Sequence, residues 1–249
     1  FFNITVIVYR SYVEHQDYAG AARYLIPRYE KLEKEGVFAQ MGAANSYANR
    51  SFLLTKIMYA LTRSKQFSTA RHYAGLLLKE VNRHDRNNTS ALLYAVAALA
   101  NLNTYTGALD KAILLMEGFS RTQGRKLPVK DTHALYVNMA GLYFMKGEIK
   151  KAIQMMSRTH ASEGEVIKVV GIKEIVLEKL MEAILYFESG DYDYADTLIR
   201  TIKRKYKKLM VQDGFMQIRS FLPVLTRLNK IPDAAVDSDF KKSTHYLIP

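Results

Sequence analysis

Between Ala134 and Thr159 the apolar residues recur three and four positions apart. Leu135, Met139 and Leu142 fall on one face of a helix, with Tyr136, Ala140 and Tyr143 beside them. After Lys146-Gly147-Glu148 the same period resumes in Ile149, Ala152, Ile153 and Met156. Gly147 can take the positive φ that closes a helix, and small Ala140 and Ala152 let two backbones approach. The pattern predicts a helical hairpin whose remaining apolar edges need a neighbour.

The rest of the chain carries neighbours of the same kind. The recurring unit is a helix, a polar or Gly turn, a large anchor residue, and Ala three residues later. It occurs at His15-Gln16-Asp17-Tyr18 with Ala21, and at Ser64-Lys65-Gln66-Phe67 with Ala70. It returns at Thr106-Gly107-Ala108-Leu109 with Ala112, at Lys146-Gly147-Glu148-Ile149 with Ala152, and at Ser189-Gly190-Asp191-Tyr192 with Ala195. Successive anchors are 49, 42, 40 and 43 residues apart. Six residues before them lie Tyr12, Leu61, Asn103, Tyr143 and Tyr186.

This pattern resembles the tetratricopeptide repeat, which pairs a small residue and Tyr on its first helix with Ala on its second. The fourth and fifth copies carry the likeness best, through Ala140, Tyr143, Gly147, Ile149 and Ala152, and through Ala183, Tyr186, Gly190, Tyr192 and Ala195. It extends over roughly residues 3 to 211. The chain departs from the family in spacing, which exceeds the usual ~34 residues, and in lacking the closing Pro and the Trp of the first helix. It is also similar to bacterial proteins built from irregular repeats of this type. The resemblance implies an all-α fold: an α-α superhelix of about five helical hairpins with a C-terminal capping helix.

Linkers separate the copies at 35–45, 83–89 and 121–131. Pro27 falls inside the second helix of the first copy, where it should kink or divide it. Ser162 and Glu165 form a capping-box pattern that opens a long helix. Asp213-Gly214 reads as a turn before a terminal helix, FMQIRSFLPVLTRL, interrupted by Pro223. The run TVIVY at Thr5–Tyr9 is the one β-leaning stretch. On this reading residues 1–229 are the repeat domain and 230–249 an extended tail.

Composition then narrows the function classes. A 249-residue chain, 49% hydrophobic, can bury a large core, yet no stretch has the length and apolarity of a membrane span. The start, FFNITVIVYR, lacks a basic leader and a small-residue cleavage site, which argues against a signal peptide; without an initiating Met it reads as a fragment or a processed chain. The absence of cysteine removes disulfides and thiolate metal sites and fits a reducing, cytoplasmic setting. The formal charge of +12 favours encounters with acidic partners.

Repeats of this family work through the surface lined by their first helices. Aligning the copies on their anchors points Lys56, Tyr59, Arg63, Tyr94, Asn101, Tyr105 and Asn138 to that surface, where aromatic area and cationic or amide heads suit a peptide. An ordinary solvated groove, or one filled by the chain's own tail, would have the same pattern. Some family members grip a C-terminal carboxylate with Asn, Lys and Arg from successive repeats. Asn101 and Asn138 match the two Asn places, but the basic places hold Ala97, Leu177 and Met181, which argues against such a clamp. In the fifth copy, residues 166–187 are apolar all round. They would be covered either by Phe215, Ile218, Phe221 and Leu222 or by a partner.

The densest charge is Arg200, Lys203, Arg204, Lys205, Lys207 and Lys208. It reads either as a solvated helix end complementing the dipole or as a phosphate-binding patch for nucleic acid, with Tyr206 stacking on a base. For catalysis or cofactors little points anywhere. The six histidines are scattered, and no Gly-rich phosphate loop or nucleophile elbow occurs. The expectation is a non-enzymatic protein- or peptide-binding scaffold without a cofactor or metal. A nucleic-acid-associated regulator is the alternative.

Overall fold

The computed structural model describes residues 2–84, 89–158 and 162–230. Among them the fold is all-α, with thirteen α-helices and two short 3-10 turns. The helices are α1 (Phe2–Glu14), α2 (Tyr18–Lys34), α3 (Val37–Gln40), α4 (Ala43–Arg63), α5 (Phe67–His84), α6 (Thr89–Tyr105) and α7 (Leu109–Gln123). They continue with α8 (Val129–Met145), α9 (Ile149–Met156), α10 (Glu163–Val170), α11 (Ile172–Glu188), α12 (Tyr192–Lys205) and α13 (Met216–Lys230). No helix among the described residues is long and apolar enough to cross a membrane.

Each of the five anchors is the first residue of a helix, and one hydrogen-bonded turn precedes all five. The amide before the anchor donates to the carbonyl five residues back: Asp17 to Tyr12 (2.9 Å), Gln66 to Leu61 (2.8 Å), Ala108 to Asn103 (2.8 Å), Glu148 to Tyr143 (2.9 Å) and Asp191 to Tyr186 (2.9 Å). One residue earlier the backbone is left-handed, with φ of 57° at Gln16, 60° at Lys65, 78° at Gly107, 77° at Gly147 and 85° at Gly190. Its amide donates three residues back in every copy. This is a Schellman closure, which satisfies the carbonyls that a helix end would otherwise leave unpaired. The residue after the turn then starts the next helix. Asp17 and Asp191 cap α2 and α12 through the amides of Gly20 (2.7 Å) and Tyr194 (3.1 Å).

Three residues after each anchor, Ala21, Ala70, Ala112, Ala152 and Ala195 have no exposed surface. The anchors themselves are only half-buried, and Tyr192 is exposed, its ring set edge-on 5.4 Å from Phe187. The alanine, and not the larger anchor, therefore occupies the tight seat between helices.

The chain forms two compact units, Phe1 to Asp131 and Thr132 onward. In the first, α1 pairs with α2, α4 with α5 and α6 with α7; α2 packs on α4, and α4 and α5 pack on α6. Leu25, Leu53, Leu54, Ile57, Leu61 and Leu77 are fully buried there. Arg50 on α4 ties the first two hairpins together, 2.7 Å from Glu33 of α2 and 3.2 Å from Glu80 of α5. In the second, α11 pairs with α12, and α13 packs on both.

Phe215, Ile218 and Leu222 join Val176, Leu180, Ala183, Leu198 and Ile202 in one core, with Phe221 against it. That core covers much of the all-round apolar helix, although Val169 and Leu177 remain exposed.

Three local expectations need correction. Helix α2 is not divided at Pro27, and α13 is not interrupted at Pro223; in α2, Leu25, Tyr29 and Leu32, on both sides of the proline, are buried in the core and hold the helix together. The long helix opened by Ser162 does carry its capping box, but it ends at Val170. Gly171, at φ +97°, breaks it there and α11 begins afresh. In keeping with the all-α expectation, the β-leaning TVIVY stretch is helical, because burial of Thr5 and Tyr9 on one face outweighs a weak propensity. The linker at 35–45 contains the short α3, whose Phe38 is buried. Lys230, the first residue of the expected tail at 230–249, is the last residue of α13; the rest of that tail, and residues 85–88 of the 83–89 linker, lie outside the described residues.

Candidate functional site

In the first unit Phe52, Lys56, Tyr59 and Arg63 form a stripe along α4 at spacings of four, three and four, one face of a helix. That face meets aromatic residues from three other helices. The Arg63 guanidinium donates to the Tyr105 hydroxyl of α6 and, at 3.5 Å, to the Tyr18 hydroxyl of α2. It also lies 4.9 Å from the Tyr18 ring centre and 5.8 Å from that of Tyr105. Tyr59 stands edge-on to Tyr18 at 5.9 Å. One turn earlier, Lys56 Nζ sits 5.6 Å from the ring centre of Tyr9 on α1 and 5.3 Å from that of Phe52. These are cation–π distances.

The electrostatics of this face are one-sided. Neither Lys56 nor Arg63 has a carboxylate within ion-pair distance among the described residues; aromatic rings and hydroxyls are their partners. Burial, reinforced by nearby Arg10, pulls the Lys56 ammonium below its ordinary range. Burial also raises the Tyr9 and Tyr59 phenols, with neighbouring tyrosines adding to the shift, so both stay neutral hydrogen-bonding groups near neutral pH.

Beside this cluster lies a cleft of about 470 Å³ between α4 and α6. Phe52, Thr55 and Lys56 form one side, Ser90, Ala91 and Tyr94 the other. The Tyr94 hydroxyl donates to buried Asp131 at 3.0 Å, which orients its ring. Burial and that bond raise the Tyr94 phenol.

Of the seven residues expected on the first-helix surface, the structure joins Arg63 to Tyr105 directly, sets Tyr59 against Tyr18 beneath Arg63, and places Lys56 and Tyr94 at one cleft. Asn101 is half-buried on α6 and makes no hydrogen bond to that cluster among the described residues. Asn138 is exposed in the second unit and donates to the Ala134 carbonyl of its own helix at 2.8 Å. Sequence reasoning missed Tyr9, Phe52 and Tyr18 as members of the face. The helical stripe could have found Phe52, whereas Tyr9 and Tyr18 reach it only through the packing of α1 and α2.

The basic run at 200–208 has a different character. Arg200 pairs with Asp196 (2.5 Å), Lys203 donates to Thr226 (2.8 Å), and Lys205 pairs with Glu163 (2.5 Å). Only Arg204, Lys207 and Lys208 are exposed without a partner among the described residues. Tyr206 cannot stack on a base: it is buried in the core, and its hydroxyl donates to Glu163 at 2.6 Å. The Lys205 and Tyr206 hydrogen bonds together hold the Glu163 carboxyl below its usual range.

Compared with known families and curated proteins, the chain matches no family model and no curated protein.

Proposed function

We propose that the chain is a tetratricopeptide-like scaffold, non-enzymatic and cytoplasmic, that binds a protein or peptide through its first helices. Five copies of one turn, each followed by a buried alanine, support the repeat reading, and stacked hairpins of this kind offer an extended surface rather than a pocket for chemistry. The observation that carries the binding reading is the Arg63 cluster. A cation held between Tyr18 and Tyr105, with no acid paired to it among the described residues, offers rigid aromatic area and unspent hydrogen-bond donors to a peptide. Lys56, Tyr59, Arg63, Tyr94 and Tyr105 are the principal contacts, with Asn101 and Asn138 as further donors along the first helices.

The experiment replaces Tyr59, Tyr94 and Asn138 together with Ala and compares the partners captured by the variant and the original chain. With helicity retained, loss of the captured partner is expected. Unchanged capture overturns the assignment. The nucleic-acid alternative would instead require binding that weakens steeply with salt, and half of its cations are already engaged within the protein.

A further inference from the structure

The cleft between α4 and α6 combines a particular set of groups. Its walls are Phe52, Ala48, Ala91 and the Tyr94 ring, an apolar lining with aromatic faces. Its volume of about 470 Å³ lies in the range of small-ligand sites. Lys56 lines it too, half-buried, with aromatic rings beside it and no carboxylate within ion-pair distance among the described residues. Arg10 lies close enough to add to the positive potential there. Ser51, 7% exposed, also lines the cleft, and its buried hydroxyl oxygen has no hydrogen-bond partner among the described residues.

A partly dehydrated ammonium beside a cation of like sign is costly unless an anion joins it. A neutral apolar guest would fill the walls and leave that cost in place. A highly charged anion such as a polyphosphate would meet mostly hydrocarbon. The set matches a guest with one negative charge and an apolar body.

We infer that the α4–α6 cleft is a binding site for a small amphipathic carboxylate, its carboxylate on Lys56 and its apolar body against Phe52, Ala91 and Tyr94. The site is separate in kind from the proposed peptide surface, although Lys56 and Tyr94 belong to both. It requires no protein partner.

The test is isothermal titration of the full chain with decanoate and with decanol. Saturable decanoate binding is expected, with decanol at least about tenfold weaker, the loss of one charge-assisted hydrogen bond. Lys56→Met should weaken decanoate by a similar factor and leave decanol unchanged, while Lys56→Arg should retain decanoate. Ala91→Phe fills the cleft from its wall and should remove both ligands without touching the cation. Circular dichroism melts establish that each variant is folded.

No saturable decanoate binding at millimolar ligand overturns the inference. So does decanol binding as tightly as decanoate, or decanoate binding that survives both Lys56→Met and Ala91→Phe. An acidic peptide that binds through Lys56 where decanoate does not would assign the cleft to the protein partner and also overturn it. Because the titration uses no partner protein, its failure leaves the scaffold reading standing, and loss of the scaffold reading leaves the cleft.

Discussion

Gln16 and Lys65 hold the left-handed backbone that Gly107, Gly147 and Gly190 hold at the equivalent seat of the other turns. A side chain costs energy in that conformation and glycine does not. Lys65→Gly is therefore expected to stabilise the chain by about 0.5–1 kcal/mol, reduced from the full strain by the freer unfolded glycine. Gly147→Ala is expected to destabilise it by about 1 kcal/mol. Urea denaturation checks both, and equal signs for the two would contradict a shared turn.

Glu163 offers a second residue-scale test. Its carboxyl is held below the ordinary value of 4.5 by Lys205 and Tyr206. The folded state thus binds its proton less readily than the unfolded state. The stability it contributes is present in full above pH 4.5 and is lost as pH falls through the lower, folded value. Glu163→Gln should cost about 1 kcal/mol at neutral pH, a modest figure because the pair is partly solvated. That deficit should shrink as the pH of denaturation is lowered below 4.5 and should not grow.

At the scale of elements, the five helix–turn–helix joints were legible because each is announced locally. The turn, the anchor and the alanine lie within seven residues, and the Schellman closure adds only carbonyls from the last turn of the helix before them. What was not legible depends on distant partners. The continuity of α2 through Pro27 rests on burial of Leu25, Tyr29 and Leu32. The break at Gly171 interrupts an apolar period that continues on both sides of it. The candidate face was half-readable for the same reason: Phe52, Lys56, Tyr59 and Arg63 share one helix, but Tyr9 and Tyr18 arrive from two others. Tyr206 shows the converse, since its basic neighbours disguise a core residue. Helix α13 completes the second unit's core, so Leu222→Ala, at a site 4% exposed, should cost about 2–4 kcal/mol in the unfolding of that unit. A loss below about 0.5 kcal/mol, the level of a surface substitution, would mean that α13 does not cover α11 and α12.

For the whole molecule, one recurring turn is shared by both compact units, and two groups of cations differ in their surroundings. At 200–208 half of the cations are paired or bonded within the protein, whereas Lys56 and Arg63 are held on aromatic rings with no acid paired to them among the described residues. That contrast directs the functional reading to the α4 face. The reading depends in turn on the five turns being the same structure. Amide hydrogen exchange followed by NMR tests this most directly at Asp17, Gln66, Ala108, Glu148 and Asp191, the five residues that precede the anchors. All five amides are expected to exchange slowly, as hydrogen-bonded donors to the carbonyls of Tyr12, Leu61, Asn103, Tyr143 and Tyr186. Exchange at the rate of a free loop amide at any one of them would contradict the repeat.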